Sequence, residues 1–155
     1  MSKQTWAAIH RRGDVLRAVE AQANARRDGI LPMTVPGVAT TFADDLDLIS
    51  ALQLRWHTRL AGQVERALQE RPTDLESAVL LAWRRTEAEM PGVRRILDRY
   101  AESPTSDEMD TAMAIAREKE WALLAAMAGQ AGPHDPGAAH AGQRLESRAR
   151  GLVAA

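Results

Sequence analysis

The chain has 155 residues, about the length of one domain, and 45% of them are hydrophobic while only 4% are aromatic. Alanine supplies much of the hydrophobic content, which favours helices, because strands prefer β-branched and aromatic residues. The 20 basic and 21 acidic residues nearly cancel. Such a balance predicts no general attraction to nucleic acid or to an anionic membrane.

Residues 5 to 28 predict a first helix. Trp6, Ile9, Leu16, Val19 and Ala23 recur at spacings that return to one helical face. We expect a kink or restart at Gly13, because glycine inside a helix is about 1 kcal/mol less favourable than alanine. Gly29 predicts a left-handed cap after the helix.

Residues 31 to 40 contain two prolines and a glycine, yet they also carry Leu31, Met33, Val35 and Val38. A solvated linker would be more polar, so we expect an ordered connection that lies against the helices. It is the one plausible extended segment of the chain.

A long amphipathic helix is predicted from about 41 to 71, with Thr41 as its N-cap and its end before Pro72. Its predicted core positions are Leu46, Ile49, Trp56, Leu60 and Ala67. At about 1.5 Å per residue it would run some 45 Å, across the whole molecule. We therefore expect the other helices to pack onto it.

Three further helices and a C-terminal one complete the predicted fold. Capping boxes at Thr73–Glu76 and Thr105–Glu108 begin the third helix, which reaches Met90, and the fifth, which reaches about Gln130. A short helix lies between them over about 93 to 100, and a last helix covers 138 to 150. The prediction is an all-α, bundle-like domain of five or six helices over residues 1–150, with a frayed tail at 151–155.

The sequence Arg55-Trp56-His57 with Arg59 is the first candidate site, on the long helix. A histidine with a pKa near 6.5 exchanges protons near neutrality, so His57 could serve as a base or a ligand. A metal-binding bundle would need Glu-x-x-His pairs, and none of the four histidines has a glutamate three residues before it. No metal and no cofactor are expected.

Glu120 is the second candidate, because it falls on the apolar face of the fifth helix with Met113, Leu123 and Met127. A carboxylate that faced the core would need a partner, and Arg55, His57 and Arg59 are the expected ones. The pattern favours a boundary residue whose carboxylate reaches solvent. The alternative is a polar spot with His57 in a pocket between helices.

Arg94, Arg95 and Arg99 on the short fourth helix allow a third hypothesis, DNA binding by a helix-turn-helix. Asp98 interrupts this basic face, and Val93, Ile96 and Leu97 occupy the other side of the helix. We expect a solvated basic face, and nucleic acid is not an expected partner.

Four motifs, ALQLRWHTRLAGQVERAL, PTDLESAVLLAWRRT, PGVRRILDRY and MAGQAG, resemble in order a family of small uncharacterised actinobacterial proteins. The resemblance covers about residues 6 to 150 and implies a short, helical, cytoplasmic protein with no known activity. The composition agrees with such a source, because lysine occurs only at Lys3 and Lys119 and arginine supplies the other basic residues, as in a GC-rich genome.

The leading functional hypothesis is a non-enzymatic protein–protein interaction or adaptor module, which binds an unidentified protein or a second copy of itself. One alternative is a small-ligand or metal-binding bundle, with or without enzymatic activity, that uses His57 and Glu120. Another is DNA binding through the three arginines of the fourth helix. We expect a cytoplasmic protein without a membrane partner, because the chain has no cysteine, no apolar run of about 18 residues and no apolar signal segment at its N-terminus.

Overall fold

The computed structural model describes residues 2–132 and 134–154, with side chains to Gly151. Within these residues the fold is all-α and contains no strand. Seven helices follow one another, one or two more than predicted: α1 Lys3–Arg26, α2 Val38–Thr41, α3 Asp45–Glu70, α4 Leu75–Glu89, α5 Pro91–Glu102, α6 Asp107–Met127 and α7 Ala138–Ala154.

Helix α1 is continuous through Gly13, so the helix does not restart there. It ends at Arg26, and its left-handed cap is Arg27, with a φ of 54°, in place of the predicted Gly29, which is also left-handed with a φ of 72°. Leu16 and Val19 are buried as predicted, but Trp6 and Ile9 on the same face are exposed. The prediction that the whole face packs into the core is therefore wrong for the first half of α1.

The connection after α1 packs into the core as predicted, since Leu31, Val35 and Val38 are all buried. It is not extended throughout, because Val38–Thr41 forms the one-turn helix α2. The helix predicted from 41 to 71 corresponds to α3, which contacts α1, α4, α5 and α6.

Three predicted N-caps are each wrong by one to three residues. Asp44, Asp74 and Ser106 accept the capping hydrogen bond from the backbone three residues later, in place of Thr41, Thr73 and Thr105. Thr41 is instead the last residue of α2, and the Thr105 hydroxyl donates to Asp45 at 2.7 Å. Neighbouring polar residues cap helices about equally well, so tertiary contacts decide between them.

Helix α5 is held against α1 at the level of the backbone. The Asn24 side chain of α1 accepts hydrogen bonds from the backbone N–H groups of Gly92 and Val93, at 3.0 and 3.1 Å. A Cβ atom on Gly92 would lie 1.8 Å from the Ala23 carbonyl oxygen, so only glycine permits this approach. These contacts fix the position of Arg94, two residues further on.

Helix α7 packs on both α6 and α4. A Cβ on Gly142 of α7 would lie 1.7 Å from the Trp121 carbonyl oxygen of α6, so this pair of helices also meets at a glycine. The predicted tail at 151–155 overlaps the end of α7, which continues to Ala154, and Ala155 lies outside the described residues. None of the described helices is both long and apolar enough to cross a membrane.

Candidate functional site

A pair of buried tryptophans, Trp56 and Trp83, lies between two arginines, Arg94 and Arg150. Trp56 of α3 and Trp83 of α4 meet edge to face, with 5.8 Å between their ring centroids. The guanidinium of Arg94 lies 4.5 Å from the Trp56 ring centroid, and that of Arg150 lies 4.9 Å from the Trp83 ring centroid. Cation–π contacts of this kind are strengthened where water is excluded.

Glu120 of α6 is buried in this region, with 2% of its surface exposed, so the prediction that it reaches solvent is wrong. Its nearest positive charge is Arg94, whose Nη1 lies 4.0 Å from the Glu120 Oε2. Arg94 itself is only 6% exposed. The expected partners from α3 are thus replaced by an arginine from α5.

Burial, helped by the nearby carboxylate of Glu146, raises the pKa of Glu120 from its ordinary 4.5 to about 7. The positive charge of Arg94 opposes this shift without cancelling it. A carboxyl group that titrates near neutrality inside a core is a feature shared by functional sites and by structural ion clusters.

Asp98 connects Arg94 to Arg150. Arg94 donates to it at 3.0 Å, and Arg150 donates two hydrogen bonds to its two carboxylate oxygens, both at 2.9 Å. Burial alone would raise the pKa of Asp98, but the hydrogen bonds and charges of Arg150 and Arg94 outweigh burial and hold this pKa below its ordinary value. Asp98 therefore stays ionised at neutral pH.

A cleft of about 280 Å³ opens onto this charged cluster between α5, α6 and α7. Its lining carries both charges, from Arg94, Arg117, Arg150, Asp98, Glu102 and Glu146. The Trp121 indole N–H on the same cleft donates to Glu146 at 3.3 Å. Five buried polar atoms in this part of the described chain have no hydrogen-bond partner: Trp56 Nε1, Trp83 Nε1, Arg94 Nη1, Arg117 Nε and Glu120 Oε1.

His57 lies elsewhere. It lines a groove of about 400 Å³ between α3 and α6, with Met113, Ala116 and Lys119, and Glu120 is not part of that lining. The predicted polar spot of His57 with Glu120 is therefore not formed in the pocket where His57 lies.

Arg55 and Arg59 are also directed away from Glu120. The Arg55 Nε donates to Glu20 of α1 and the Arg59 Nη1 donates to Glu89 of α4, both at 2.7 Å. Both arginines line a groove of about 430 Å³ between α1 and α3. The four candidate residues predicted from the sequence thus belong to three separate places.

The basic face predicted on α5 is wrong for Arg94, which is buried in the core. Arg95 and Arg99 are exposed, and Arg95 donates to the backbone carbonyl of Arg27 at 2.6 Å. Two exposed arginines remain of the three on which the DNA-binding hypothesis rested.

Arg94 and Arg150 are the residues that sequence reasoning missed as partners of the buried acid. The signal that could have found Arg94 is its i, i+4 spacing to Asp98, which places an opposite charge one turn away on the same helix. Arg150 has the same i, i+4 spacing to Glu146 on α7, but no local signal predicts its hydrogen bonds to Asp98, which lies on another helix.

Among residues 2–132 and 134–154, no group of three histidine, aspartate or glutamate side chains is arranged to hold a metal ion. No protein-family model, curated protein or solved structure matches this chain. Its function must therefore be inferred from its own surface and core.

Proposed function

We propose that this chain is a non-enzymatic protein–protein interaction module whose binding surface lies along α1. The observation that carries this proposal is that the apolar face of α1 extends further than the core that covers it. Leu16 is buried, whereas Trp6 and Ile9, on the same face two to three turns earlier, are 59% and 56% exposed.

Exposed tryptophan and isoleucine on one helical face provide a driving force for association. Burying a large apolar side chain contributes about 1.5–3 kcal/mol, so Trp6 and Ile9 together offer a partner several kcal/mol. Trp6 stacks on His10 with 5.3 Å between the rings, which covers one face of the indole and leaves most of the side chain in solvent. Grouped apolar side chains of this kind commonly mark interaction sites.

In this proposal the helices form a bundle-like cytoplasmic domain around α3, and the partner is another protein or a second copy of the chain. The resemblance to small actinobacterial helical proteins, taken as part of the proposal, implies no activity. The proposal therefore rests on the exposed face of α1.

The test compares the wild type with the double variant Trp6→Ser/Ile9→Ser. Ile115→Ser is the matched control, because Ile115 is an exposed apolar residue on α6. Size-exclusion chromatography with light scattering measures self-association, and affinity purification from the native cell with chemical cross-linking identifies partners. We expect a dimer or a captured protein that the double variant loses and the control keeps. The proposal would be contradicted if the wild type is a monomer and captures the same proteins as the double variant.

A second candidate function, small-ligand binding at the charged cluster, is supported by the cleft of about 280 Å³ and by two unpartnered atoms of residues that line it, Arg94 Nη1 and Arg117 Nε. Buried polar atoms usually have a hydrogen-bond partner, and a polar guest or a water molecule in the cleft would supply one for these donors. Native mass spectrometry of protein purified from its own cells would detect a bound small molecule. A bare polypeptide mass from wild type and Glu120→Gln alike would argue against this candidate.

A further inference from the structure

The groove between α1 and α3 runs along one continuous stripe of α3. Lining residues occur every one to three positions of α3 from Ala51 to Arg66. At about 1.5 Å per residue, this part of the helix is about 22 Å long, or four helical turns. On the other side, Arg12 and Leu16 of α1 form its wall. The groove therefore has the length of a helix of about 15 residues.

The charged residues of this lining are all basic: Arg12, Arg55, Arg59 and Arg66. Three of them pair with acids outside the lining, namely Asp47, Glu20 and Glu89. Each guanidinium has five N–H groups, so these pairs leave donors unused. Arg66 makes no ion pair within the described part of the chain. The net positive charge of the groove therefore comes from Arg66, and the three paired guanidiniums add unused N–H donors.

The floor of the groove is small and apolar. Leu54 is 65% exposed, and a Cβ added to Gly62 would meet nothing within 4 Å, so open space lies above the middle of the stripe. Gln63, which also lines the groove, is buried and donates its Nε2 to Glu89, while its Oε1 has no hydrogen-bond partner.

We infer that this groove binds an amphipathic helix whose apolar stripe is flanked by aspartate and glutamate. This inference rests on the proposed interaction function and names the chemistry of the partner. An apolar floor bordered by arginines complements such a helix, whose leucines would cover Leu54 and whose carboxylates would face the four guanidiniums. Single-stranded nucleic acid fits less well, because the lining contains no aromatic side chain on which a base could stack.

The probe is a fluorescein-labelled synthetic peptide of about 15 residues, with leucines at helical spacing and glutamates beside them. A second peptide replaces each glutamate with lysine, and a DNA duplex of similar charge is the third probe. Fluorescence anisotropy measures the binding of each to the full chain. We expect the glutamate peptide to bind, the lysine peptide not to bind, and affinity to fall as salt rises from about 50 to about 500 mM.

Two variants test whether the peptide binds in the groove. Arg66→Glu should weaken its binding about fivefold or more, as expected for reversing one charge at the edge of an interface, and Leu54→Ser should weaken it similarly. The matched controls are Arg84→Glu and Ile115→Ser, which are exposed and outside the groove, and they should leave the affinity unchanged. Circular dichroism confirms that all four variants remain folded.

Equal binding of the two peptides, no binding of either, or an effect of Arg84→Glu as large as that of Arg66→Glu would each overturn the inference. So would DNA binding that depends on Arg66 and exceeds peptide binding. Failure of this inference can be told apart from failure of the proposed function. A native partner that is lost in Trp6→Ser/Ile9→Ser would support the proposed function even if no peptide binds the groove. If no native partner is found, the peptide measurement still tests the groove.

Discussion

The guanidinium of Arg94 lies over the indole of Trp56, with 4.5 Å between its central carbon and the ring centroid. The same guanidinium is the nearest positive charge to the buried Glu120. One side chain on α5 thus connects the aromatic pair of α3 and α4 to an acid on α6. The stability of the core should therefore depend on it strongly.

Arg94→Met should lower the free energy of unfolding by about 3 kcal/mol at neutral pH, because it removes the cation over Trp56, the ion pair with Asp98 and the counterion of Glu120 together. Urea denaturation of wild type and variant measures this change. Arg84→Met, at an exposed arginine of α4, should change stability by less than about 0.5 kcal/mol. The double variant Arg94→Met/Glu120→Leu should recover much of the loss. Similar effects of Arg94→Met and the control would refute this role of Arg94.

Glu120 should make the protein less stable as pH rises. Its pKa of about 7 in the folded state exceeds the ordinary 4.5, so the folded protein keeps a proton that the unfolded chain releases. Its stabilising contribution is fully present below pH 4.5 and is lost as pH rises through 7, by about 3 kcal/mol in all. Urea denaturation at several pH values should show this fall for the wild type and a flatter profile for Glu120→Gln. Parallel profiles would show that Glu120 does not titrate in this range.

Asp98, in contrast to Glu120, should make the protein less stable as pH falls into the acid range. Arg150 and Arg94 hold its pKa below the ordinary 3.8, so the stability that it contributes is present above that value and is lost as pH falls through its lower folded pKa. Asp98→Asn should therefore reduce stability at neutral pH and lessen its decline in acid. Thermal unfolding between about pH 2 and about pH 6 tests this, and an unchanged acid decline in the variant would count against it.

Asn24→Ala should destabilise the protein by about 1–2 kcal/mol, because it removes the acceptor for the first N–H groups of α5. The side chain of Met90, the N-cap residue of α5, makes no capping hydrogen bond. Chemical denaturation compares the variant with Gln69→Ala, at an exposed position of α3, which should have little effect. Equal stabilities of the two variants would show that the cap is unimportant.

Two glycine-to-alanine substitutions should have opposite signs. Gly62→Ala should stabilise the protein by up to about 1 kcal/mol, because Gly62 is inside α3 and its Cβ would meet open space. Gly92→Ala should destabilise it by several kcal/mol, because its Cβ would overlap the Ala23 carbonyl. Thermal unfolding distinguishes them, and a destabilised Gly62→Ala would mean that the groove beside it is more tightly packed than described.

Most of the helices could be predicted because amphipathic spacing, and the prolines and glycines that end helices, are local signals in the sequence. Trp56 and Leu60 were correctly placed in the core by periodicity alone. The same signal was wrong for Trp6 and Ile9, because periodicity identifies which residues share a face and cannot say whether another helix covers that face.

The candidate site was predicted only in part for a related reason. Glu120 stood out because an acid on an apolar face is unusual, but its counterion comes from α5, and the expected partners on α3 pair with Glu20 and Glu89 instead. Arg94 was grouped with Arg95 and Arg99 on one solvated face of α5, but only the other two are exposed, because α3 and α6 cover the side of the helix that carries Arg94. Pairing between helices is decided by how they pack, which short-range spacing does not encode.

The sequence by itself determined that the chain is helical, where most of its helices lie and which of their residues are apolar, because propensity, periodicity and capping act over a few residues. Only the tertiary structure decided that Arg94 rests on Trp56 beside a buried Glu120, that Arg55 and Arg59 border a basic groove, and that the first turns of α1 are uncovered. The first two depend on contacts between different helices and the third on the lack of such contacts, and the close approach of backbones at Gly92 and Gly142 fixes how α5 lies on α1 and α7 on α6.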